Sequence, residues 1–168
     1  LLAAQSPIRP PGEAFAYHAF TQGFLLGEVV RRVTGQTMGD WIRAELTEPH
    51  DIDFHLGVPE PVRPRIAEID HAAMPPSNDG PDRVADVNTA RWQASEFPSS
   101  NGHGNARSVA QLLSVLTRHP AIDRDPLGEG ALDLVRTVDW DGPDPVTGTN
   151  VRMGCLLYTS DAADDDAC

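Results

Sequence analysis

The 168-residue chain contains no lysine; all 13 basic residues are arginines, from Arg9 to Arg152. No motif that uses a lysine amine can be complete within it. Its two cysteines, Cys155 and Cys168, both lie at the C-terminal end. Residues 1–154 therefore carry no thiol, and neither a disulfide framework nor a redox compartment can be read from them. No apolar run approaches the roughly 18 residues that a membrane-spanning helix needs. There is no P-loop, dinucleotide fingerprint, HExxH or GxSxG motif, and no repeat or coiled-coil pattern. Positive charge is scarce as well. A formal net charge of −12 argues against nucleic acid or an anionic membrane surface as partner, since both require clustered Lys and Arg. No N-terminal stretch pairs a basic region with an apolar one, so no signal peptide is legible. The chain opens on Leu1, which carries no targeting information and leaves localisation open. Nothing in the composition sets an oligomeric state.

What is present suits one globular unit: 40% of residues are hydrophobic and mean hydropathy is −0.33. The C-terminal end stands apart. Cys155–Asp165 reads CLLYTSDAADD, the translation of a common transposon-end sequencing adaptor. We expect residues 155–168 to be non-native read-through and set them aside from fold reasoning; a disordered acidic tail is the competing reading. Asp161, Asp164, Asp165 and Asp166 lie there, which leaves −8 for residues 1–154, an ordinary acidic surface. The expected domain is thus 1–154.

Pro7–Gly12 reads as an extended segment and turn. Leu26, Val29, Val30 and Val33 follow i, i+3, i+4, i+7 and predict a helix with one apolar face. Arg31 and Arg32 suit its last turn, and Gly35 is placed to stop it. A second helix should start at Thr37, with Asp40 three residues on as a weak capping box. Met38, Trp41 and Ile42 form its stripe, and Pro49 should end it. The short join predicts a helical hairpin. Ile52, Phe54 and Leu56 alternate. Met74–Asn101 reads as a long, mostly irregular connection, and Ser99–Asn105 as a Gly-rich loop. Ser108, with Gln111 three residues later, predicts a third helix bearing Val109, Leu112, Leu113 and Leu116. A fourth should run from about Gly130, with Ala131, Leu134, Val135 and Val138 on one face. Asn150–Gly154 reads as the start of a strand.

Three places invite chemistry. His50, Asp51, Asp53 and His55 form a metal-like cluster, and on a strand the last three would share a face. Without a further ligand pattern, a solvated edge with a local Asp–His pair is the better reading. The Gly-rich loop before Ser108 resembles an anion cradle at a helix N-terminus, but glycine loops are common punctuation. His103 within it reads as a loop residue rather than a ligand or base.

The third place is Pro11–Pro49, PGEAFAYHAFTQGFLLGEVVRRVTGQTMGDWIRAELTEP. This segment resembles beta-lactamase-related serine hydrolases, the group of class C beta-lactamases, family VIII carboxylesterases and D-aminopeptidases. Pro11–Gly12, Tyr17, Thr21, Gly23, Gly27–Glu28, Thr34–Gly35 and Pro49 fall in place. Asp53–Pro59, Gly104–Ser108 and Val151–Gly154 resemble later parts of the family pattern. The resemblance implies an α/β (α+β) beta-lactamase-like hydrolase fold, present in part, of which this chain supplies mostly the helical subdomain and long loops. It further implies hydrolysis of a small-molecule ester or amide through an acyl-serine intermediate, without a cofactor or metal. The family uses a Ser-x-x-Lys motif together with a tyrosine, because a serine hydroxyl attacks poorly until a neighbouring base takes its proton. Tyr17 stands at the tyrosine position and is the only tyrosine of residues 1–154.

Two departures matter. Ala19 occupies the place of the asparagine in the family's frequent Tyr-x-Asn, which leans the expectation from beta-lactam towards ester hydrolysis. Without lysine, the Ser-x-x-Lys motif is expected upstream of Leu1, and the Lys- or His-Thr-Gly-type motif beyond Gly154. The chain by itself is then expected to be inactive. Two alternatives remain at this point: a non-catalytic helical binding domain and a pseudoenzyme of the same family.

Overall fold

The computed structural model describes residues 1–7, 9–70, 87–116 and 137–154. The chain forms two compact units, one built from Leu1–Ala19 with the described residues from Ser114 onward, the other from Phe20–Leu113. No helix among the described residues is long and apolar enough to cross a membrane.

The larger unit begins with α1, Thr21–Thr34. Gly35 ends it as the spacing predicts: at φ 76° it adopts the left-handed conformation that favours glycine, and its N–H returns to the Arg31 carbonyl at 2.9 Å. Glu28 binds Arg31 and Arg32 at 2.7 Å each. Hydrogen bonds from these guanidiniums pull its carboxyl down to about 2. The pairs are exposed, so they contribute little to stability.

The stripe Leu26, Val29, Val30, Val33 does lie on one helix face, but it is not the face that docks. Val33 is 79% exposed, and Leu26 and Val29 are also open. The face that meets the 97–99 segment is instead Phe20, Gly23, Phe24 and Gly27, which shares the same spacing, although Phe24 remains 49% exposed. Phe20 and Phe24 stack on Phe97 with centroids 5.7 and 4.9 Å away, and Trp92 meets Phe97 edge-on at 5.4 Å. Such pairs add about 0.5–1.5 kcal/mol each beyond their burial. Gly23 makes the approach possible: a Cβ there would lie 2.5 Å from the Ser99 nitrogen. The Ser99 hydroxyl donates to the Phe20 carbonyl at 2.9 Å, a further tie between the helix entry and the 97–99 segment.

The second helix opens as expected. The Thr37 hydroxyl accepts from the Asp40 N–H at 3.1 Å. Helix α2, Met38–Ile42, continues through a π-helical stretch, Arg43–Thr47, into a 3-10 turn, Glu48–His50. Pro49 therefore sits inside the final turn rather than terminating the helix before it, because proline is tolerated in a first turn where its missing N–H is not needed. The chain leaves at Asp51, whose φ is 51°. Helices α1 and α2 contact one another as a hairpin.

Strand β1, Phe54–Leu56, pairs antiparallel with β2, Gly102–Gly104, in the register Phe54↔Gly104, His55↔His103, Leu56↔Gly102. The expected loop 99–105 is thus partly a strand. Its glycines are needed because the Phe54 ring occupies their side-chain space: a Cβ on Gly102 would lie 2.5 Å from the ring. Helix α3, Ala90–Ala94, lies within the segment read as irregular and is capped by the Thr89 hydroxyl; residues 71–86 of that segment lie outside the described residues. Leu46, Ile52, Leu56 and Val58 are the buried apolar residues of this unit.

Helix α4, Ala106–Leu116, starts earlier than its predicted cap at Ser108. Asn105 does the capping, its Oδ1 accepting from the Ser108 N–H at 2.9 Å and from the Ser108 hydroxyl at 3.1 Å. Ser108 is buried inside the first turn. A short polar side chain two or three residues upstream of the first turn's free N–H groups caps as well as serine does.

In the smaller unit, β3, Val138–Pro143, and β4, Asn150–Gly154, form an antiparallel hairpin with an irregularity between Val138 and Trp140. The strand expected from Asn150 is present. Of the expected fourth helix, residues 130–136 lie outside the described residues, whereas Val138 is in a strand. Residues 155–168 also lie outside them. Among the described residues, Val115 and Met153 are the buried apolar ones here.

Candidate active site

Tyr17 and its surroundings belong to the smaller unit. Gly12, at φ 89°, makes the expected turn with Pro11, and the chain then reaches Tyr17 without regular secondary structure. Tyr17 is 41% exposed. Its main chain is held. The Tyr17 N–H donates to Asp144 Oδ1 at 3.2 Å, across 127 residues of sequence.

Asp144 sits in the β3–β4 turn and is 1% exposed. Its Oδ1 also accepts from the Val146 N–H at 2.9 Å, and its Oδ2 from the Thr147 hydroxyl at 2.9 Å. Its own N–H donates to the Thr149 carbonyl, while the Gly148 N–H donates to its carbonyl, both at 2.8 Å. Burial by itself would favour the protonated acid. The donors from Val146, Thr147 and Tyr17 together outweigh it and hold the Asp144 carboxyl below its usual range. Asp144 therefore remains an anion that several N–H and O–H groups converge on. In sequence, the Asp144-Pro145 pair followed by Thr147 and Gly148 is an Asx-turn signal, but nothing in it points to Tyr17.

A second polar group lies in the larger unit. Asp53, His55, Arg65 and His103 line an open cleft of about 370 Å³, with Val62 and Ile66 as apolar wall. Arg65 grips both Asp53 oxygens, through Nη2 on Oδ2 and through Nη1 on Oδ1 at 3.3 Å, and His55 Nε2 lies 3.2 Å from Oδ1. The Arg65 guanidinium, then His55, holds the Asp53 carboxyl below its usual range. The metal-like tetrad does not come together. Asp53 is committed to Arg65, and the Asp51 main chain turns away at a left-handed residue. Among the described residues no group of three or more metal-ligating side chains forms. His103 is a strand residue opposite His55, and burial pushes its imidazole down. At the start of α4, Asn105 already takes one of the N–H groups that an anion would use.

Glu96 and Asn101 are organising residues that sequence reasoning missed. Glu96 accepts from the Thr37 hydroxyl at 2.6 Å and from the Gly39 N–H at 3.1 Å, so it caps α2 from 57 residues away. Asn101 is buried and holds the 92–97 segment.

Residues 1–159 match the family model described as Beta-lactamase. The chain belongs to the beta-lactamase family. Among curated relatives, the esterase/beta-lactamase LipL of Mycobacterium tuberculosis is 33% identical over 146 residues, covering 73% of this chain and 34% of the relative. A family VIII carboxylesterase crystal structure aligns with TM-score 0.76 and 28% identity over 96% of this chain and 46% of that one. A penicillin-binding protein homologue from Caulobacter crescentus aligns with TM-score 0.73 and 30% identity over 94% and 45%. This beta-lactamase-family chain thus has the beta-lactamase-like fold in part. It spans about a third of the curated relative's length and just under half of the two solved structures.

Proposed function

We propose that this chain is the middle part of a serine hydrolase that cleaves a small-molecule ester or amide through an acyl-serine intermediate, and that Tyr17 carries protons to and from the reacting oxygens. The observation that carries the reading is the state of Tyr17 within a beta-lactamase-family chain: an exposed residue whose main chain is tied to a buried acid. A group that passes protons must reach substrate, yet hold its place to within a fraction of an ångström. Exposure supplies the first requirement and the Asp144 bond the second.

The chain has no lysine, so the nucleophile's partner base comes from outside residues 1–168, and with it the Ser-x-x-Lys motif. In the first step the serine Oγ would form a bond to the acyl carbon while its proton passes to the lysine–tyrosine pair. The proton then goes to the departing alcohol or amine as its bond to the acyl carbon breaks. Water repeats the sequence to release the acid. Ala19 in place of the family's asparagine removes an amide-holding side chain and favours esters over beta-lactams. The name of LipL joins both activities and the carboxylesterase neighbour only the first.

The test is Tyr17→Phe in the full-length protein, assayed with a p-nitrophenyl ester. General acid–base catalysis contributes about 10²–10⁴-fold. A fall in kcat of that order at an unchanged thermal midpoint supports the reading; wild-type kcat overturns it.

A further inference from the structure

We propose that Asp144 is the positioning residue for Tyr17: its carboxylate, seated in the β3–β4 turn, fixes the Tyr17 main chain and with it the place of the phenol. The inference rests on the proton-carrying role of Tyr17 given above.

Two features set Asp144 apart from an ordinary turn aspartate. The first is burial. Residues 145–150 around it are exposed, as hairpin turns are, yet Asp144 is 1% exposed. The second is a surplus bond. The turn is already closed by donors from Val146 and Thr147 and by the two main-chain bonds to Thr149 and Gly148. The Tyr17 N–H adds nothing that the turn requires. It joins the turn to a distant segment that belongs to neither sheet. An ionised acceptor makes that bond stronger than a neutral one would be, and the Val146 N–H on the same Oδ1 holds that oxygen in place. A tyrosine has only two side-chain torsions, so fixing its main chain restricts the hydroxyl to a few places. A displacement of 1 Å at a reacting group costs about 10²-fold in rate. No covalent step involves Asp144 itself.

The test compares variants of the full-length protein hydrolysing a p-nitrophenyl ester. Asp144→Ala removes the acceptor and is expected to lower kcat about 10–100-fold with KM within about threefold. Asp144→Asn keeps an oxygen for the Tyr17 N–H and is expected to retain kcat within about fivefold. Thr147→Ala cuts a turn bond of the same carboxylate but leaves the bond to Tyr17 in place, so it should lower the thermal midpoint and leave kcat near wild type. If Asp144→Ala does not fold, Asp144→Glu carries the test: the longer side chain displaces the same anion, and kcat should fall at least about tenfold. Wild-type kcat in folded Asp144→Ala or in Asp144→Glu overturns the proposal. Equal losses in Thr147→Ala and Asp144→Ala also overturn it, by reducing the role to turn stability. Wild-type kcat in Tyr17→Phe overturns it together with the reading beneath it, whereas loss in Tyr17→Phe alone overturns only the positioning role.

Discussion

Asn101→Ala tests how the larger unit is held together. The Asn101 side chain is 2% exposed. Its Oδ1 accepts from the Phe97 N–H at 2.8 Å, and its Nδ2 donates to the Ser95 and Trp92 carbonyls at 2.7 and 2.9 Å. Alanine removes these bonds and a weaker one from Nδ2 to the Ser95 hydroxyl at 3.2 Å, but the losses are unequal. The Trp92 carbonyl keeps the Ser95 N–H at 3.1 Å and the Ser95 hydroxyl at 2.8 Å. The Phe97 N–H and the Ser95 carbonyl lose the partners described for them. An unsatisfied buried group costs about 1–3 kcal/mol. Ser95 is exposed and Phe97 half-buried, so water recovers part of the loss, and about 2–4 kcal/mol is expected for the pair. Phe97 is also the hub on which Phe20, Phe24 and Trp92 converge, so its displacement loosens the docking of α1. Urea denaturation followed by tryptophan fluorescence reads both effects, since Trp92 lies in the cluster. Asn101→Asp sharpens the test. It keeps the acceptor for Phe97 but sets a carboxylate against two carbonyls, so at neutral pH it should be less stable than Asn101→Ala. It should regain stability as falling pH protonates it, because a carboxyl raised above its unfolded value is favoured in its neutral form. A loss below about 0.5 kcal/mol in Asn101→Ala, the range of featureless surface changes, or an Asn101→Asp variant as stable as wild type at pH 7, refutes the reasoning.

Two further outcomes follow from the same unit. A Cβ at Gly39 would collide with the Leu56 carbonyl oxygen and lie 2.8 Å from Glu96 Oε1, so Gly39→Ala should cost about 1–3 kcal/mol or more through overpacking. Gly35→Ala meets open space and should cost only the left-handed backbone penalty of about 1–2 kcal/mol; thermal midpoints that reverse this order would count against the close packing of α2 on β1. His103 has a folded pKa below its ordinary 6.5. Its neutral form is thus favoured in the fold, and the stability it contributes is complete above about pH 6.5 and lost as pH falls through the lower folded value. Urea midpoints measured between pH 7.5 and 5 should fall less steeply in His103→Gln than in wild type; parallel curves would remove His103 from the acid response.

The residues alone determined what is local or chemical. Gly35 and Thr37 mark their helix ends because a left-handed stop and a hydroxyl cap act over three or four residues. The resemblance of Pro11–Pro49 led to the family to which the chain belongs, and to Tyr17, because motif spacing is a property of the chain. The absence of lysine told, before any coordinates, that the chain cannot complete a Ser-x-x-Lys site. What periodicity could not decide is which of two equally spaced stripes of α1 would dock. Leu26, Val29 and Val33 are the more apolar set, yet Phe20, Gly23, Phe24 and Gly27 meet the 97–99 segment, since the small residues let it approach. Glycines read as loop punctuation became strand β2 because the Phe54 ring fills their side-chain space. Glu96 reaches α2 from 57 residues away and Asp144 reaches Tyr17 from 127. These are single hydrogen bonds between segments whose sequences say nothing of one another, and only the tertiary structure brings their partners within reach.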